Sequence, residues 1–183
     1  MRIYQIGNDV MKYQYFLPEK EQDARKLTMK CLPQSGHWVP PSVFIYEPLL
    51  QQGDFFNFSS SVLIFGPFAA RVLAVHIQQA GEGLPLPFDG KTYTVLNILQ
   101  MVKCLDVERT IHELNSGSPY YWKKYAFLPN LSGLLPSSHL FKLSEKPISP
   151  ILVWEEDPNV GFIADMKRNQ IKGYELTLLW EEA

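Results

Sequence analysis

The stretch LPLPFDGKTYTVLNILQMVKCLDVERT, residues 84–110, decides the fold. Asp89-Gly90 suits a two-residue turn whose twist matches right-handed strands, so the stretch opens as a β-hairpin. Its second arm, from Tyr93 onward, is apolar-rich with only Asn97, Gln100 and Lys103 as polar breaks, and then Asp106, Glu108 and Arg109 crowd together. The residues read as strand through Asn97. Beyond it Ile98, Met101, Val102 and Leu105 also match helical spacing, and Asn97 with Gln100 offers a capping pair, so helix stays open over 98–106. In either conformation the charges begin where burial ends.

That charged knot has two readings. As a carboxylate pair for acid–base work, Asp106 and Glu108 would need to converge from unlike environments. Extended chain points them to opposite faces, and a helix sets them about 200° apart. The alternative is that Asp106 caps a turn or local helix that begins there, with Arg109 as its ion-pair partner.

Working outward, residues 2–6 and 11–17 have strand composition around a GND turn. KLTMKCL, 26–32, alternates with Leu27, Met29 and Cys31 on one face, which predicts a half-buried strand. PQSGHWVPPS, 33–42, is a proline-broken loop anchored by Trp38, and VFIY and SVLIF are short strands. Pro67 and Gly81 bracket a helix over 67–80, with Ala69, Val72, Leu73, His76, Ile77 and Ala80 as its apolar stripe. GEGLP then reads as a helix-to-strand connection. NSGSPYYWKKY, 115–125, reads as an exposed loop, followed by strands HLFKL and ISPILVW. A second helix is expected over 158–171, capped by Asp157 before Pro158, with Lys167, Arg168 and Lys172 at the back and Gly173 as its end. The closing YELTLLW should be a well-buried strand. The expected fold is α+β: one domain over 1–183, mostly antiparallel strands and hairpins with two main helices.

Composition bounds the function. At 183 residues one domain buries about 70% of its unfolded surface. Hydrophobic residues at 46% and charged at 20% fit a globular chain, and fourteen prolines against eleven glycines favour many short strands over long helices. A net charge of −2 lacks the basic excess of a nucleic-acid binder. The amino-terminal residues hold no apolar run of signal-peptide length, and the greasiest span, VLIFGPFAARVLAVHI, is interrupted by Gly66, Pro67 and Arg71. These features predict a cytoplasmic protein with no membrane partner. Cys31 and Cys104, far apart and without a CxxC pair, read as buried reduced thiols.

GxSxG, HExxH, Walker and GxGxxG motifs are all missing from the sequence. His37, His76, His112 and His139 lie singly on four predicted elements. His76, on the helix stripe, reads as a packed histidine with a hydrogen-bond partner. An enzyme, hydrolase-like and built from scattered histidines, is the competing class; convergence of two histidines with a carboxylate in one cleft would favour it. A regulatory interaction module is the third.

GKTYTVLNILQMVKCLDVERT, then HLFKLSEKPISPILVWEE and FIADMKRNQIKGYELTLLW, together with MRIYQI, HWVPPSVF and GDFF, resemble a family of immunity proteins of bacterial polymorphic toxin systems. The family was first catalogued as a domain of unknown function and is typified by a myxobacterial protein. Relatives often carry an acid three positions before the counterpart of Asp106, where this chain has Lys103. The resemblance implies an α/β protein that binds and neutralises a cognate toxin or secreted effector, with no reaction and no cofactor or metal. The expected partner-binding residues are the charged knot, Asp106, Glu108 and Arg109, and the acidic run Glu155, Glu156 and Asp157 at the front of the last helix, facing a basic toxin surface.

Overall fold

The computed structural model describes residues 1–27, 29–59, 61–112, 122–129, 131–146 and 148–182, and the side chains of 25, 26, 111, 112 and 122–124 are left aside. In chain order the elements begin with β1 (Arg2–Asn8), β2 (Tyr15–Pro18), α1 (Glu21–Lys26), β3 (Val43–Tyr46), β4 (Phe55–Ser59) and β5 (Val62–Phe65). Then come α2 (Pro67–Val72), α3 (Ala74–Ala80), β6 (Gly81–Phe88), β7 (Lys91–Ile98) and β8 (Met101–Val102). The rest are β9 (Ile111–His112), β10 (Trp122–Lys124), β11 (Leu140–Leu143), β12 (Leu152–Glu155), α4 (Phe162–Arg168) and β13 (Tyr174–Glu181). This is the expected α+β class.

Two sheets carry the fold, ordered β13-β1-β12-β11-β8 and β4-β5-β7-β6, with the small pairs β2–β3 and β9–β10 beside them. Among the named strands only β8 with β11 pairs in parallel. The four-stranded sheet is the central layer. Leu63 and Phe65 of β5 face one apolar cluster with the helices, while Val62 and Ile64 face a second cluster with Phe16, Leu27, Met29 and Val43. A strand buried on both faces explains why VLIF is continuously apolar. A third cluster, built on Ile3, Phe141, Leu143 and Leu152, covers the other face of the five-stranded sheet.

Residues 84–110 weld these layers. Phe88 pairs with Lys91 across Asp89-Gly90, whose φ values of 46° and 69° are the left-handed pair the hairpin turn requires. β7 then ends at Ile98, one residue past expectation. The helix alternative over 98–106 is excluded. Leu99 N donates to Ala80 O at 2.9 Å and Lys142 N donates to Gln100 O at 2.9 Å, so extended chain crosses from one sheet to the other and becomes β8. Lys142 lies on β11, fully buried, with Nζ donating to Met29 O at 3.2 Å. Burial holds that amine below the ordinary lysine range.

Several expectations need correction. None of the described residues of KLTMKCL lies in a strand: α1 ends at Lys26, and Cys31 has a φ of 56° that breaks extended chain. Its alternation is still real, since Leu27, Met29 and Cys31 are buried. The helix over 67–80 is split at Leu73 (φ −102°, ψ 11°), although Ile77 N still donates to Leu73 O at 3.0 Å and the buried stripe survives as Ala69, Leu73, Ile77 and Ala80. GEGLP is the start of β6, not a connection. The second helix spans Phe162–Arg168 with Gly161 at its start, so neither Asp157 nor Gly173 bounds it. Lys167 and Arg168 do occupy its last turn. Of residues 11–17 only the end is strand, because Met11 and Lys12 lie in a turn. ISPILVW contributes only its last residues, to β12.

β13 is an edge strand, not a well-buried one. Leu178 is 49% exposed, and a register shift between Ile3 and Tyr4, which pair with Trp180 and Leu178, breaks the single apolar face. The loop read over 115–125 falls mostly outside the described residues. Cys31 and Cys104 are buried thiols outside any disulfide, as expected, and burial pushes the Cys104 thiol up to about 12. Among the described residues no helix is long and apolar enough to cross a membrane.

Candidate binding surfaces

The charged knot is a surfaced turn. Asp106 N donates to Ala126 O at 2.9 Å, the last tie to the core, and Asp106 Oδ1 then accepts from Arg109 N at 3.2 Å. Thr110, buried, closes the turn by donating its hydroxyl to Asp106 O at 2.7 Å and accepting from Ala126 N at 3.2 Å. Val107, Glu108 and Arg109 are exposed, and Arg109 Nη1 reaches Asp106 Oδ2 only at 4.0 Å. Asp106 therefore caps the turn, and its carboxylate and that of Glu108 do not form a pair.

The acidic run is divided. Glu155 ends β12 and is 4% exposed, with Oε2 accepting from the Tyr4 hydroxyl at 3.4 Å and 3.9 Å from Arg2 Nη1. Glu156 and Asp157 are exposed in the turn that follows, where Asp157 Oδ1 accepts from Asn159 N at 2.8 Å. Glu155 thus faces the sheet, and only its two neighbours face solvent.

Two histidines come together in space. His76 Nε2, on α3, sits 2.7 Å from Asp165 Oδ2 on α4, and because a carboxylate only accepts, that nitrogen carries the proton. Arg168 donates to the same carboxylate group. His76 Nδ1 is buried and has no hydrogen-bond partner among the described residues. His139 lies edge-on, with ring centroids 6.3 Å apart, stacked on Trp154 at 4.6 Å and donating from Nδ1 to Trp154 O at 3.2 Å. Its φ of 61° is strained for a non-glycine residue. Among the described residues no group of three histidine, cysteine, aspartate or glutamate side chains is placed to hold a metal ion. His37 is exposed in a loop turn, and the His112 side chain is outside the description.

A third feature has no counterpart in the sequence reading. Met11, 83% exposed, and Leu49, 98% exposed, stand on two adjoining turns. Gln51 N donates to Lys12 O at 3.1 Å, Gln14 N to Gln51 O at 3.0 Å and Gln14 Nε2 to Pro48 O at 2.8 Å, so the turns are stitched together. Tyr46, exposed, lies against Tyr15 at 5.2 Å beside them, and Val10 is exposed on the first turn. The result is a pair of exposed apolar side chains, the knob, presented on two turns that hydrogen bonds hold together. The only signal for it in the sequence is the Leu49-Leu50 pair inside a segment otherwise marked as loop by Pro48 and Gly53.

A scan against models of known protein families finds no match to this chain, and a search of curated proteins finds none.

Proposed function

We propose that this chain is a binding protein that neutralises a protein toxin or secreted effector encoded beside its gene, by occlusion and without chemistry of its own. The observation that carries this reading is the Met11 and Leu49 knob. Exposed apolar side chains are ordinary one by one, but these two stand together on hydrogen-bonded turns, and each supplies about 1.5–3 kcal/mol when a partner covers it. Their fixed backbone also reduces the ordering cost of association. The family resemblance along most of the chain supplies the class of partner. In this reading Glu108, Arg109, Glu156 and Asp157, exposed, and Asp106, half-buried, tune approach and selectivity as charges. Glu155, at the end of the central strand β12, stays with Tyr4 and Arg2 of β1.

Co-expression with each flanking effector gene tests it. Wild-type chain should restore growth, and Met11→Asp with Leu49→Asp should abolish rescue at equal soluble expression.

The enzyme reading draws on the convergence of His76, His139 and Asp165. Its weakness is atomic: His76 Nε2 is taken by Asp165, and the remaining nitrogen is buried away from any substrate. We therefore assign the pair a structural role, joining α3 to α4. Turnover lost in His76→Asn but retained in Met11→Asp would reverse that assignment.

A further inference from the structure

The apolar knob adjoins a cleft that sequence spacing does not reveal. The turn that bears Leu49 continues through Gln51 into Gln52, Gly53 and Asp54, and Asp9, two residues before Met11, donates from N to Gly173 O at 3.1 Å. Between these segments, the start of α2 and the start of β7 lies a cavity of about 590 Å³, within the range of ligand sites. Its lining includes Phe56 and Tyr93, both buried, and Pro67 and Phe68, both exposed. Lys91 and Lys172 complete the lining.

Cations outnumber carboxylates at this cleft, with Lys91 and Lys172 against Asp54 in its lining. Lys91 and Lys172 are exposed and make no ion pair among the described residues, and Arg71 lies over the Phe68 ring at 5.6 Å, also without one. The one carboxylate of the lining, Asp54, already accepts from Lys172 N at 3.2 Å through Oδ2. On a chain of net charge −2, two cations in the lining and a third, Arg71, over the Phe68 ring favour an anionic occupant with an apolar body. A phosphate group would want convergent backbone N–H donors. Here those donors are committed: Asp54 N and Phe55 N donate to Lys172 O at 2.9 and 3.0 Å, and Gly66 N donates to Asp54 O at 2.7 Å. Separate lysine point charges on different segments instead fit carboxylates spaced along a peptide.

We infer that this cleft binds an acidic segment of the partner protein that carries a large aromatic or aliphatic side chain, while the Met11 and Leu49 knob takes an apolar patch of the same partner. The inference rests on the binding-protein reading above. Phe68 and Pro67 flank the apolar side chain, and Lys91, Lys172 and Arg71 face the carboxylates.

The test is fluorescence anisotropy with a fluorescein-labelled nonapeptide of glutamate and glycine around a central phenylalanine, and a matched peptide with lysine for glutamate. The glutamate peptide should bind the full chain, weaken as salt rises, and weaken about tenfold or more both in Lys91→Glu with Lys172→Glu and in Phe68→Ala, while the lysine peptide stays free. No binding of the glutamate peptide, equal binding by the charge-reversed variant, or displacement by inorganic phosphate at equal charge would overturn the cleft assignment. If the peptide fails while a flanking effector is still neutralised, the cleft falls and the function stands; if the peptide binds as stated and no flanking effector is neutralised, the function falls.

Discussion

At the scale of single residues the molecule depends on a few polar and glycine positions. Glu82 and Asn97 face each other across β6 and β7, and Glu82 accepts from Gln34 N at 2.7 Å, Ser35 N at 3.2 Å and Asn97 Nδ2 at 2.9 Å. Asn97 Nδ2 also donates to Leu32 O at 2.8 Å, so this pair fastens the 33–42 loop that Trp38 anchors through Pro85 O at 2.7 Å. Burial pushes the Glu82 carboxyl up, but the donors from Ser35, Gln34 and Asn97 outweigh it and hold it at about 2, below the ordinary 4.5. On acidification the unfolded chain therefore takes up this proton first. The stabilisation is complete above about 4.5 and is lost as pH falls toward about 2. Glu82→Gln should cost about 1–2 kcal/mol at neutral pH and remove that acid slope, as urea titrations from pH 7 to 3 would show. Gly161 is constrained differently: a Cβ there would lie 2.6 Å from His139 Cε1, at a φ of 94°. Gly161→Ala should lose about 3 kcal/mol, read as a lowered urea midpoint.

At the scale of elements, the legible parts of the sequence were those whose partners are local. The Asp89-Gly90 hairpin, VFIY, SVLIF and the Asp106 turn all follow from neighbours a few residues away. What failed was whatever depends on a distant partner. KLTMKCL has strand periodicity because a core lies under it, yet none of its described residues joins a strand ladder, and period two reports burial before it reports pairing. The last strand looks central by composition but is an edge, because among the described residues only β1 pairs with it. The His76 and Asp165 pair spans 89 residues of sequence, so no spacing rule finds it. It should be visible as coupling between α3 and α4: a double-mutant cycle of His76→Gln and Asp165→Asn should return an interaction energy of about 0.5–3 kcal/mol. Strict additivity in thermal melts would make the contact incidental.

At the scale of the whole molecule, the central sheet fixes which surfaces are free. Its two faces are consumed by apolar clusters, and the middle strands β1, β12 and β11 of the five-stranded sheet lie between two of those clusters, so this account places binding on turns at the periphery. The sequence reading placed binding on charged turns because charge is visible in one dimension; the knob and cleft are assembled from segments around residues 11, 49, 53, 67, 91 and 172 and are not. A stable complex needs about 1,200–2,000 Å² of buried surface, which the knob and cleft together would centre while exposed charges form the rim. The direct measurement is a calorimetric titration of the flanking effector into wild-type chain and into the Met11→Asp, Leu49→Asp double variant. The account predicts that Kd rises at least about a hundredfold in the variant with its urea midpoint unchanged. Equal affinity in the two proteins would contradict it.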